Sequence, residues 1–291
     1  MKIAHISDLH YGLSYSQNHN AEKLLARIHS FGVDHLVITG DLTAFGDESH
    51  YEKLVALLKK FDFFSSDRLT VIPGNHDLFN HLLQYFHSAI DILKRFYKLP
   101  AALRRIIDFN ILKYNKELQK FNDFMDKTFS NIIRKDQFTV YPFAKSITDD
   151  TVLVGIDSNK AIGVLENRAA SNGMVSLNKV KTLLDDPAIE NKRKIVLMHH
   201  YLYPENEMAQ LNGKHFSRFM RLLNRNDVAQ LLYEKNVDLV LHGHYHHNTT
   251  YQLGEDGPRV MGGGGSYRGP HWNLIDLEES DIKLQIKNGT Y

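Results

Sequence analysis

The chain has 291 residues, and its 35 Lys and Arg nearly balance 34 Asp and Glu, so overall charge argues against a polyanionic partner such as nucleic acid. A 43% hydrophobic share with 24% charged residues excludes a wholly disordered chain. The absence of Cys excludes a disulfide framework and leaves only nitrogen and oxygen ligands for any metal.

Asp8 interrupts the first apolar run too early for a signal-peptide core, and no stretch approaches ~18 consecutive apolar residues. The expected location is the cytoplasm. In chain order, short β-branched runs at 3–6, 35–39 and 69–72 alternate with helix-period segments at 21–30 and 49–60. The second segment sets Tyr51, Leu54, Val55 and Leu58 on one face. That rhythm predicts βαβ units with a sheet buried between helices.

Residues 78–130 depart from this rhythm. Leu82, Phe86, Ile90, Leu93 and Tyr97 mark one amphipathic helix, closed by Pro100. A second steps through Leu103, Ile107, Ile111, Tyr114, Leu118, Phe121 and Met125. The segment carries nine Lys and Arg against five Asp and Glu, and ten of the 31 aromatics. It is expected to stand over the mouth of a site as a helical insert in one domain spanning 1–291. Further β-branched runs follow at 151–156, 194–198 and 237–241, ending at Asp157, His199 and His242. Four short runs at 251–253, 259–261, 272–277 and 282–287 are expected to close a second sheet.

The chemistry-bearing residues gather at the ends of the apolar runs: Asp8-x-His10, Gly40-Asp41, Gly74-Asn75-His76-Asp77, His199-His200 and Gly243-His244-x-His246. In open α/β sheets, ligands bind beyond the carboxyl ends of strands. A two-ion site needs a carboxylate with an oxygen for each ion, and Asp41 is the best candidate for that bridge. Alternation along an extended strand would turn Asp8 and His10 to one side, and likewise His244 and His246. Gly243 would allow a tight turn. Taken singly, Asp8 or Asp41 reads as an ordinary helix cap and Asn75 as a turn residue; the ordered set points to metal. Among the 17 His, the residues His5, His19, His35, His50, His242 and His247 read as surface or packing positions.

The motifs and their order resemble the calcineurin-like metallophosphoesterase superfamily over nearly the whole chain except the insert. The resemblance implies an α/β fold, a four-layer α/β/β/α sandwich of two mixed sheets flanked by helices. It implies two divalent ions (Mn, Fe, Zn or similar), one on Asp8, His10, Asp41 and His246, the other on Asp41, Asn75, His199 and His244. It also implies in-line attack on phosphorus by a hydroxide that both ions share, with Asp41 and His76 as the catalytic residues and His76 protonating the leaving oxygen or stabilising the transition state. Asn75, His76, His200 and Arg268 would meet substrate. Many members carry an acidic residue three positions after the bridging Asp, where it orients the His of the G-N-H-D motif. Ala44 stands there, leaving Asp77, Asp47 or Glu48 as substitutes.

The implied activity is hydrolysis of a phosphodiester or pyrophosphate in a small phosphorylated substrate. The strings Asp8-Leu9-His10 and Gly40-Asp41-Leu42-Thr43 resemble the cyclic-nucleotide phosphodiesterases. The long insert resembles instead the UDP-2,3-diacylglucosamine hydrolases, where it would hold acyl chains as a lid. Its basic, aromatic character suits an amphipathic ligand or peripheral membrane contact, and equally a plain packing cap. A catalytically silent scaffold of this fold would be expected to have lost ligands.

Overall fold

In this computed structural model, residues 1–78, 104–159, 171–202, 220–265, 271–278 and 281–287 are described. The expected helix over 82–97 and Arg268 lie outside them.

The β-branched runs fold as strands because each is buried on both faces. Strands β1 (Lys2–Ile6), β2 (His35–Thr39) and β3 (Leu69–Ile72) run parallel, connected by helices α1 (Tyr15–Phe31) and α2 (Glu48–Lys60). After β3 come a single turn, α3 (Asn75–Leu78), and the long helix α4 (Arg104–Phe124). Strands β4 (Ile133–Arg134), β5 (Phe143–Ser146), β6 (Thr151–Gly155), β7 (Arg193–Leu197), β8 (Leu239–His242), β9 (Thr249–Gln252) and β10 (Arg259–Gly262) build a seven-stranded sheet, with helices α5 (Leu177–Leu184) and α6 (Arg225–Glu234).

One expectation about the sheets is corrected. The last two runs, β11 (Trp272–Leu277) and β12 (Ile282–Lys287), do not join the second sheet. They return to the first, in the order β12-β11-β1-β2-β3, where β11 pairs antiparallel with β1. Hydrophobic alternation states which face of a strand is buried but not which neighbour it takes.

Side-chain alternation sorts the core into layers. Ala4, Ile6, Leu36, Ile38, Leu69 and Val71 face α1, α2 and α4. Ile3, Val37, Ile72 and Ile275 face the other sheet, meeting Leu153, Ile195, Leu197, Leu239 and Leu241. Val152, Val154, Val196 and Val240 face α5 and α6. The result is two mixed sheets back to back between helical layers. The described part of the insert belongs to the first helical layer: Tyr114, Phe121 and Met125 are buried there, and Phe124 stacks on Tyr51 at 5.1 Å.

Candidate metal centre

The loops that follow the strands are fastened to one another. Asp8 donates its backbone N–H to the Gly40 carbonyl at 3.0 Å, His10 to that of Asp41 at 2.9 Å, and Tyr11 to that of Leu42 at 3.0 Å. Asn75 opens α3 directly beyond β3, and His199 lies beyond β7. Gly243 reaches back from the end of β8 to the His199 carbonyl at 3.0 Å, and so brings His244 and His246 in from the other sheet.

The ligand residues are not held as the strand-alternation argument supposed. Asp8, His10, Asp41, His244 and His246 all have positive φ, 44° to 75°, and only Asp62, Asn131 and Asn236 share that among described non-glycine residues. Left-handed turns, rather than extended backbone, aim each pair of ligands inward. Such conformations cost of order 1 kcal/mol or more each and cluster at functional sites. Gly243 also differs from expectation. Its φ is not in the left-handed region, and glycine is needed there because a Cβ would strike Ser7 Oγ and come within 2.7 Å of Asp8 Oδ2.

Two groups of ligand atoms result, and Asp41 belongs to both. In one, Nε2 of His10 lies 3.0 Å from Nε2 of His246 and 3.7 Å from Asp41 Oδ2, while His246 Nε2 lies 3.4 Å from Asp8 Oδ1. In the other, His199 Nε2 stands 3.0 Å from Asn75 Oδ1, 3.2 Å from His244 Nδ1 and 3.5 Å from Asp41 Oδ2. Ligands about 2.1 Å from a common ion stand about 3.0–3.4 Å from one another in octahedral or tetrahedral geometry. The spacings fit two such ions.

The ligands are themselves oriented. Nδ1 of His199 donates to the Thr39 carbonyl at 2.8 Å, which leaves Nε2 for an ion, and both Asp8 oxygens accept the backbone N–H of His244 at 3.0 Å. Burial opposes charge on His199, but the carboxylates of Asp41 and Asp8 and the Thr39 hydrogen bond carry its pKa up to about 9. Burial also opposes ionisation of Asp41, yet His199, His76 and His10 around it hold its carboxyl well below the usual range. Asp8 is likewise lowered against its burial, chiefly by His246. The site opens on one side: His246 and His76 are 28% and 30% exposed, whereas the Asp8, Asp41 and His199 side chains are 2% exposed or less.

His76 meets that opening, with Nε2 4.0 Å from Asp41 Oδ2. Its Nδ1 lies 3.0 Å from the carbonyl oxygen of Ala44. The position that lacks an acidic side chain therefore supplies the orienting contact through its backbone. Asp77 has a different task. Its oxygens accept the backbone N–H groups of Leu42, Thr43 and Gly74 and the hydroxyls of Thr43 and Tyr51, clamping the β2 loop to the β3 loop. Burial, then the nearby Asp41 charge, raises its pKa to about 6. Asp47 faces His50, at 3.6 Å.

His200 offers no substrate-facing atom. It is fully buried, Nδ1 accepting from Ser158 Oγ at 2.8 Å and Nε2 donating to the Ser171 carbonyl at 3.2 Å. His5 and His35 are buried in hydrogen-bonded positions, on Thr39 and Asn273 and on the Asp67 carbonyl and Thr70 respectively. His242 is buried beneath the site with Nδ1 on the Gly243 carbonyl, and His19 stacks on Tyr15 at the surface. Sequence reasoning missed Ser158, whose hydroxyl accepts the backbone N–H of both His199 and His200 at 3.2 and 3.1 Å. Its one signal was its place immediately beyond a buried strand.

Residues 1–248 match the family model for calcineurin-like phosphoesterases. The chain belongs to that family. Curated relatives include a probable cyclic nucleotide phosphodiesterase of Coxiella burnetii, 27% identical over 258 residues, which are 86% of this chain and 77% of the relative. A second probable cyclic nucleotide phosphodiesterase, of Vesicomyosocius okutanii, is 31% identical over 112 residues, 38% of this chain and 44% of the relative. Among solved structures, a dimetal phosphatase from Danio rerio superposes with a TM-score of 0.59 at 14% identity, covering 99% of this chain and 96% of that one. GAP50 of Plasmodium, described as an anchor in the inner membrane complex, gives 0.54 at 13% identity, covering 99% and 84%. These two likenesses show the fold. With family membership and a metal-ligand set converging at one strand-end site, this calcineurin-like phosphoesterase is a metal-dependent hydrolase.

Proposed function

We propose that this protein is a phosphodiesterase acting on a small phosphorylated substrate with two divalent ions. The observation that carries the reading is the Asp41 carboxylate shared by two groups of ligand atoms at coordination spacing. One ion would take Asp8, His10, Asp41 and His246, the other Asp41, Asn75, His199 and His244. Nitrogen and oxygen donors without sulfur suit Mn, Fe or Zn. When bound, such a pair supplies Lewis acidity toward phosphoryl oxygens and lowers the pKa of coordinated water.

This chain's own residues complete the chemistry. His76, at the open side and fixed by Ala44, is placed to bind a phosphoryl oxygen or to deliver a proton from Nε2 to the leaving oxygen. The partly exposed edge between His76 and His246 gives the approach to phosphorus. A diester is favoured because two curated relatives are named as probable cyclic nucleotide phosphodiesterases. The complete ligand set weighs against a silent scaffold, and balanced charge weighs against a nucleic-acid substrate.

The test is turnover of a chromogenic bis-phosphodiester by chelated protein before and after Mn²⁺ is returned. Activity only after Mn²⁺ supports the reading, and full activity in the chelated protein overturns it. A panel of cyclic nucleotides, nucleotide-linked lipids, monoesters and oligonucleotides with Mn²⁺ then ranks the substrates.

A further inference from the structure

Asp157, Ser158 and Asn159, just beyond β6, each hold a different part of the molecule. Asp157 is a half-buried residue whose carboxyl partners among the described residues are a phenol and an amide. Oδ2 accepts the hydroxyl of Tyr114 on α4, and Oδ1 accepts the backbone N–H of Asn159 at 2.7 Å and its Nδ2 at 3.3 Å. Ser158 accepts the N–H of His199. Asn159, 1% exposed, donates Nδ2 to the carbonyl of Pro73 at 2.8 Å, two residues before the ligand Asn75. Asn75 and His199 then meet at 3.0 Å. Hydrogen bonds and short stretches of main chain thus connect the insert helix to His199 and to the loop that carries Asn75.

We propose that Asp157, with Ser158 and Asn159, is a positioning segment through which helix α4 sets Asn75 and His199, the ligands of the second ion. The inference rests on the two-ion reading above. It follows from the asymmetry of the contacts. The segment touches the Asn75 loop and His199, whereas the main chains of Asp8 and His10 are fastened to the carbonyls of Gly40 and Asp41. Burial raises the pKa of Asp157, so its charge carries a desolvation cost. Leu, Val or Thr would fill the same strand end without that cost, but none would hold Tyr114 and Asn159 at once. Partners of metal ligands typically change metal affinity by about 10–100-fold when removed.

The experiment is a calorimetric Mn²⁺ titration of the wild-type chain and of the Tyr114→Phe, Asp157→Asn and Asn159→Ala variants, with circular dichroism to confirm folding. The expected result is that one Mn²⁺ binds as in wild type, whereas the other weakens about tenfold or more. The double variant Tyr114→Phe/Asp157→Asn should bind no more weakly than Asp157→Asn alone, because both remove one link. Variant isotherms that superpose on wild type, or equal weakening of both ions, overturn the proposal. Should Asp157→Asn fail to fold, Tyr114→Phe removes only an oxygen atom and carries the same readout. A wild-type chain that binds fewer than two Mn²⁺ overturns the two-ion reading itself, a result distinct from either of these.

Discussion

His76 Nδ1 donates to the Ala44 carbonyl oxygen across 3.0 Å, so the open-side imidazole is oriented by main chain rather than by a carboxylate. Nε2 is thereby left to carry the exchangeable proton toward the site. His76→Ala should lower kcat by about 10²–10⁴-fold, with the larger loss on esters of poorly acidic alcohols. Ala44→Ser should leave kcat near the wild-type value, because the contact is a backbone one. Steady-state kinetics on two leaving groups check both. An equal loss on both esters would show that His76 donates no proton.

Loading the centre should release protons. Metal-free His199 has its pKa raised to about 9, so it is protonated at pH 7, yet a ligand must present a neutral Nε2. Titration with Mn²⁺ in buffers of different ionisation enthalpy should report net release at pH 7. That release should fade as pH rises through about 9. A buffer-independent enthalpy at pH 7 would contradict this.

Gly243→Ala should disable the site without unfolding the chain. The new methyl would meet Ser7 Oγ and Asp8 Oδ2, so the ligand carboxylate must move. Mn²⁺ affinity is expected to fall by about tenfold or more. Far-ultraviolet circular dichroism should be unchanged, since Gly243 lies outside the sheets.

Stability should decline on mild acidification. Burial lowers the pKa of His35 to about 4, against the usual 6.5, despite the hydrogen bond to the Asp67 carbonyl. The unfolded chain therefore binds a proton between pH 6.5 and 4 that the folded chain refuses, and stability falls as pH falls through that window. The difference is worth about 3 kcal/mol for this one residue. Urea midpoints measured from pH 7.5 to 4.5 should drop steadily, and the slope should be shallower in His35→Gln. A flat profile would place His35 in solvent.

Much of this arrangement was legible in the chain because ligands of the required chemistry sit at the ends of apolar runs, and strand ends are where α/β sheets place their sites. The conformation of those ligands was not legible. Asp8 and His10 read as alternating strand residues, yet tertiary hydrogen bonds from their N–H groups to the carbonyls of Gly40 and Asp41 accompany left-handed turns in that stretch. The Ala44 contact was equally hidden, since every residue has a carbonyl and sequence shows only side chains. Strands β4 and β5 escaped because β4 has two residues and β5, Phe-Ala-Lys-Ser, holds no β-branched side chain, and α5, with eight residues, is barely two turns. Asp157 was visible as a polar strand end; its bond to Tyr114, 43 positions earlier, belongs to the fold alone.

Of the left-handed residues at the site, Asp8 and His10 donate their main-chain N–H groups to the carbonyls of Gly40 and Asp41, and His244 donates its own to the Asp8 carboxylate. These bonds belong to the fold, so a substitution that breaks one would misdirect a ligand side chain without touching it.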